Sequence, residues 1–194
     1  MTRIGIVGGI GSGKSYIAKL FGYPVFNADF EVAKLYRENR TCYNKLKKTL
    51  PNYVKSFPVK KNKLSEAIID KQSNLKKIIK IVHPQIRKSL SNFVKKNKNR
   101  KFIILDIPLL IENKINKKND VIVFIDSKKK EINKRLKKKY KGNIKIIKKF
   151  GKVQLPVELK RKKSNFVIKN NFKMEPVKKS VKLLKSRILY KWKK

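Results

Sequence analysis

The segment Gly8-Gly9-Ile10-Gly11-Ser12-Gly13-Lys14-Ser15 constrains this chain more than any other. It satisfies G-x-x-x-x-G-K-[ST] without a mismatch. It follows the apolar run Ile4–Val7 and opens a helical pattern in which Ile17, Ala18 and Phe21 share one face. In that strand–loop–helix setting, backbone N–H groups can turn inward around an anion, because glycine carries no Cβ to block the approach. The helix N-terminus adds its partial positive charge. Lys14 then reaches the β- and γ-phosphates of ATP, and the Ser15 hydroxyl is placed as a magnesium ligand. Gly8, Gly9, Ile10, Gly11, Ser12, Gly13, Lys14, Ser15 and the adjoining Tyr16 are the expected contacts to Mg-ATP. A glycine-rich turn with a chance lysine is the plain alternative, and it has little weight beside the complete match in this setting.

The rest of the chain reads as α/β. Short apolar runs at Arg3–Val7, Val25-Phe26, Phe102–Asp106, Val121–Ile125 and Phe166–Ile168 alternate with helical spacing, which predicts a mostly parallel sheet. Residues 41–100 differ: helical patterns recur at Leu64–Ile69, Leu75–Val82 and Ile86–Val94, punctuated by Pro51, Pro58 and Pro84, with no strong strand. They are expected to form a helical insertion. Lys128–Lys139 reads as a very basic helix with Ile132 and Leu136 facing inward, and a basic stretch follows through Leu155. The expected division is a core of 1–40, 101–127 and 156–194, an insertion of 41–100 and a basic segment of 128–155. Met174–Trp192 reads as a last helix, with Val177, Val181, Leu184 and Ile188 in one stripe.

Lys and Arg total 54 against 12 acids, a formal net charge of +42. Such a field attracts any polyanion. The excess is mostly Lys, however, and is spread along the whole chain with Asn and Ile, as AT-rich codon usage alone would produce. A nucleic-acid domain more often gathers its cations in one patch with Arg and aromatics. No specific nucleic-acid partner is therefore expected. The one cysteine, Cys42, excludes an internal disulfide and fits a reducing compartment. No apolar run approaches the roughly 20 residues of a membrane span, and Met1–Gly5 leads into a strand-like segment rather than a signal-peptide core. The expected location is cytoplasmic.

Further along, Asn27-Ala28-Asp29, His83-Pro84, Asp106-Ile107-Pro108-Leu109-Leu110-Ile111-Glu112, Arg135, Gln154 and Val167–Asn170 follow the glycine loop in order. With Ile4–Ser15 they make a chain that resembles the dephospho-coenzyme A kinases over nearly its whole length. The resemblance implies a P-loop NTP hydrolase-like fold, with a helical coenzyme A-binding insertion and a basic helical lid at 128–155. It implies transfer of the ATP γ-phosphate to the ribose 3′-hydroxyl of dephospho-CoA, with Mg2+, by a monomer or weak homo-oligomer. It casts Asp29 as the carboxylate that accepts the proton of the attacking hydroxyl; read from the residues alone, Asp29 serves equally as a helix N-cap. It casts Asp106 as a strand-end carboxylate holding magnesium through water, where the bland reading is a turn residue. Lys14 and Arg135 become the cations on the transferring phosphoryl group, although Arg135 also reads as one more cation on a solvated face. His83, Pro108, Leu109, Leu110 and Glu112 become acceptor contacts; the last four also read as an ordinary turn. The chain departs from the family pattern at Asn27 for an Asp, Lys139 for a second lid arginine, Asn165 for an Asp, and Glu66 near a usual arginine. Two other readings compete: a kinase for another small alcohol, and a basic nucleic-acid-binding P-loop protein that uses the +42 charge.

Overall fold

Stretches dense in Ile, Val, Leu and Phe form the strands of a single five-stranded sheet in the order β2-β3-β1-β4-β5, all pairings parallel. The computed structural model describes residues 1–139, 151 and 153–191. Within them the elements run β1 Thr2–Gly8, α1 Lys14–Leu20, β2 Val25–Asn27, α2 Ala28–Glu38, α3 Arg40–Thr49, α4 Lys61–Asp70 and α5 Gln72–Lys96. They continue with β3 Phe102–Asp106, β4 Val121–Ser127, α6 Lys129–Lys139, α7 Val157–Lys162, β5 Phe166–Asn170 and α8 Met174–Lys191. Residues 140–150 and 152 of the expected lid, the side chain of Lys139, and Trp192 lie outside the described residues.

Parallel strands are covered on both faces, so their interior members carry no alternation. β3 is buried at every position. β1 is central, and the chain steps to β2 and β3 on one side of it and to β4 and β5 on the other. This reversal is a topological switch point, where the carboxyl ends of parallel strands leave a crevice. The loop after β1 opens there. On one face, Ile17, Ala18 and Phe21 of α1 join Val177, Val181, Leu184 and Ile188 of α8 over Ile4, Ile6, Ile104, Val123 and Ile168. The α8 stripe is the one its spacing predicts.

The described residues group into two compact units, one of 1–27, 97–139 and 151–191, the other of 28–96. The second begins earlier than the expected boundary at 41, because α2 packs on α5. Within this unit α5 turns Leu75, Ile78, Val82 and Leu90 inward and packs on α2, α3 and α4. It runs through Pro84, where the sequence suggested a break. A proline removes one helical hydrogen bond, at a cost of about 3 kcal/mol in a helix interior. Each buried Leu, Ile or Val returns about 1.5–3 kcal/mol, so the apolar face outweighs the proline. Pro84 and Lys80 are exposed, so water can solvate the carbonyl left free at Lys80.

Two buried polar arrangements follow from this packing. Arg3, early in β1, donates to the Asp120 carboxylate at 2.7 Å and to the Ile115 carbonyl at 2.9 Å. Burial raises the Asp120 pKa above the ordinary carboxylate value, and the Lys117 amide and Arg3 offset only part of that. Asp120→Asn leaves the Arg3 charge buried without a counterion and should lower unfolding free energy by about 3 kcal/mol, read from the urea midpoint. In the other unit Cys42 is 1% exposed, and burial pushes its thiol pKa up to about 11. The thiol should ignore an aromatic disulfide reagent in the folded protein at mildly alkaline pH and react once urea unfolds it.

Candidate active site

β1 ends at Gly8, and the chain turns through Gly8, Gly11 and Gly13, all at positive φ, before α1 begins. Gly13 is the α1 N-cap in the left-handed region, φ 90° and ψ 18°, with no capping side chain, so the first N–H groups of α1 remain for a ligand. The Ser12 carbonyl accepts from Ser127 Oγ at 3.0 Å and from Asn170 Nδ2 at 2.8 Å, at the ends of β4 and β5. A Cβ on Gly13 would run into that Asn170 amide, and one on Gly11 would lie 3.0 Å from Leu136 of α6. Ile132 and Leu136 thus face inward, as their spacing predicts, and seat α6 against the loop. Lys14 lays its ammonium over the loop, 2.7 Å from the Gly9 carbonyl and 3.3 Å from that of Gly8. Ser12 Oγ is buried with no hydrogen-bond partner among the described residues, a polar atom left inside the cradle. Ser15 and Tyr16 are exposed on the first turn of α1. Positive-φ glycines, a cation at the rim and an open helix N-terminus together suit a nucleotide's phosphates.

Asp106 closes β3 and is buried. Asn27 is its register partner across the β2–β3 pair and donates its side-chain amide to the Asp106 carboxylate. A second acid at position 27 would set two carboxylates side by side, whereas the amide supplies a donor without charge. Asn165, another departure from the family pattern, accepts from the Ile122 amide at 2.7 Å while its own N–H donates to the Ile122 carbonyl at 2.8 Å. That pairing needs an acceptor, and a neutral amide supplies it.

The residues after β3 form successive turns rather than a helix. Pro108 and Leu109 are partly exposed there, and Leu110 is fully buried on Gly5 of β1. The Glu112 carboxylate meets the Lys160 ammonium at 2.7 Å and accepts from the Leu155 amide at 3.1 Å. Lys160, 1% exposed, also donates to Gln154 at 3.0 Å. Arg135 is exposed on α6, its guanidinium carbon 4.6 Å from the centre of the Phe172 ring. The parts played by Ser127, Lys160 and Phe172 were not legible beforehand. Lys160 stood in a run of lysines indistinguishable from solvated ones, and the other two acquire partners only through the sheet.

In the other unit Asp29 is exposed in the first turn of α2, one residue inside the helix rather than at its cap. His83 lines a cleft of about 360 Å³ with Ile79, Lys80, Pro84 and Arg87. Burial, and then the Arg87 charge, hold its imidazole pKa below the ordinary value, so it is neutral at pH 7. Gly13→Ala should weaken ATP binding at least tenfold by calorimetry and destabilise the fold by about 1–3 kcal/mol, through the clash and the positive φ. Gly151→Ala, whose added Cβ meets nothing within 4 Å among the described residues, is the control and should leave ATP binding unchanged.

A family model described as dephospho-CoA kinase matches residues 2–175. The dephospho-CoA kinase of Wolbachia sp. subsp. Brugia malayi is 36% identical over 186 residues, covering 92% of this chain and 94% of that protein. Among solved structures, the Thermus thermophilus protein TT1252 superposes with a TM-score of 0.77 at 27% identity, covering 96% of this chain and 97% of that one. A dephospho-CoA kinase from Campylobacter jejuni shares the fold, with a TM-score of 0.65 at 23% identity and 96% of each chain covered. A match that runs from the first strand into the last helix takes in the glycine loop, Asp106, Glu112 and Arg135 together, and the chain belongs to the dephospho-CoA kinase family.

Proposed function

We propose that this chain transfers the γ-phosphoryl group of ATP to the ribose 3′-hydroxyl of dephospho-CoA, yielding coenzyme A and ADP. The observation that carries this reading is an unbroken phosphate loop inside a family match spanning residues 2–175. The N–H groups of Gly8 to Ser15 hold the triphosphate, with Tyr16 beside it. Lys14 leaves the loop carbonyls for the β- and γ-phosphate oxygens. Asp29 accepts the hydroxyl proton as the new P–O bond forms and the bond to the β-phosphate oxygen breaks. Arg135 neutralises charge spread over the transferring oxygens.

Among the described residues no three His, Cys, Asp or Glu side chains converge to hold a metal. Mg2+ commonly takes one or two protein ligands beside substrate phosphates and water, and exposed Ser15 with strand-end Asp106 supplies such a set. The ion bound there would add electrostatic stabilisation of the phosphate charge. On the acceptor side, His83 and its cleft, with Lys80 and Arg87 as cations, receive part of dephospho-CoA. Pro108 and Leu109 line the approach after β3, while Leu110 and Glu112 hold that segment in place. Residues 41–100 serve as the acceptor-binding insertion and 128–155 as the lid. Among the described residues no helix is long and apolar enough to cross a membrane. The proposed setting is the cytoplasm, as a monomer or weak homo-oligomer with no specific nucleic-acid partner.

Mass-resolved incubation with Mg-ATP and dephospho-CoA should give a product heavier by one phosphoryl group, with matching ADP. ADP formed only with some other alcohol would refute the acceptor assignment. Asp29→Asn should lower kcat by about 10²–10⁴ while ATP still binds. Wild-type turnover in that variant would remove Asp29 from the proton transfer.

A further inference from the structure

We propose that Phe172, on the turn after β5, is a positioning residue for Arg135, and that Asn170 ties this pair to the phosphate loop. The proposal rests on the reading of Arg135 as a phosphoryl-stabilising cation. Arg135 is exposed on α6, with Glu131 one turn before it and Lys138 one turn after it on the same face. Its guanidinium carbon lies 4.6 Å from the centre of the Phe172 ring. The quadrupole of an aromatic face attracts a cation and selects the orientation in which the guanidinium lies across it.

Phe172 itself is held in an uncommon way. Its φ is 60°, a region that bulky side chains rarely adopt. Such a conformation persists where the surroundings over-determine it. Here the Phe172 amide donates to Asn170 Oδ1 at 2.9 Å, while Asn170 Nδ2 donates to the Ser12 carbonyl at 2.8 Å. Asn170 is 3% exposed and uses both ends of its amide in this way. The ring edge reaches the loop as well, with Phe172 Cε1 3.5 Å from where a Cβ on Gly13 would sit. The guanidinium is therefore referenced to the phosphate loop twice. Ile132 and Leu136 fix the backbone of α6 over Gly11, and the ring of Phe172 fixes the side chain. A cation that must meet charge developing on a phosphoryl group loses effect when misplaced by an ångström, so this double reference bears on rate.

The left-handed φ supplies a clean variant. Phe172→Gly removes the ring while relaxing the backbone, so the melting midpoint should hold or rise. Its kcat should fall about two- to fivefold, the scale of an exposed cation–π contact, and Phe172→Tyr should restore it. The Arg135→Ala and Phe172→Gly double variant should be no slower than Arg135→Ala alone. In the nucleotide-free protein the Arg135 Nε–Hε resonance should show an upfield ring-current shift that vanishes in Phe172→Gly. Wild-type kcat in Phe172→Gly beside a slow Arg135→Ala, additive losses in the double variant, or no ring-current shift would each overturn the positioning role. Wild-type kcat in Arg135→Ala would instead overturn the reading of Arg135 itself, and the positioning role with it.

Discussion

The carbonyl of Ser12 is the point from which the site is organised. It accepts hydrogen bonds from Ser127 at the end of β4 and Asn170 at the end of β5, while the loop that carries it springs from β1. Three adjacent parallel strands thus hold one turn of backbone, and their register is set by the buried apolar residues of the sheet. Aiming N–H groups at a phosphate is most effective when the donors are arranged beforehand, because no reorganisation is then needed as charge develops. The positive φ of Gly11 and Gly13 is the local condition for that arrangement, and the contacts of Leu136 and Asn170 explain why no side chain fits there.

Charge is treated unequally in a protein with 54 basic residues. Most of the described lysines are solvated, but Lys160 and Arg3 are taken into the fold and each meets a single carboxylate, Glu112 and Asp120. Buried pairs of this kind add little net stability, since desolvation offsets much of the attraction. Their effect is positional. Lys160 joins the turns after β3 to Gln154 and the start of α7, so the segment of the Pro-Leu-Leu motif is anchored within the core unit. Asn27 acts in the same spirit beside Asp106, where an uncharged donor steadies a carboxylate that a second acid would repel.

Local physics is partly overruled in the helical unit. Pro84 and the spacing around it suggested two helices, but one helix of 25 residues forms, because its inward face buries Leu75, Ile78, Val82 and Leu90. The same packing draws α2 into the helical unit, which begins at residue 28. Asp29 accordingly stands in the first turn of a helix, not at the tip of a strand.

The sequence by itself determined the parts whose physics is local. Glycine spacing specifies a phosphate loop, unbroken apolar runs specify interior parallel strands, and a four-and-three periodicity specifies the α8 stripe. Each depends on residues within a few positions of one another, so a linear reading reaches it. The tertiary structure alone decided which lysine is buried, which amide pins the loop, and which ring lies under Arg135. Ser12 and Asn170 are 158 positions apart, and their bond exists only because β1, β4 and β5 lie side by side. In a chain so rich in Lys and Asn, composition cannot mark the few that carry structure. Only a buried partner does.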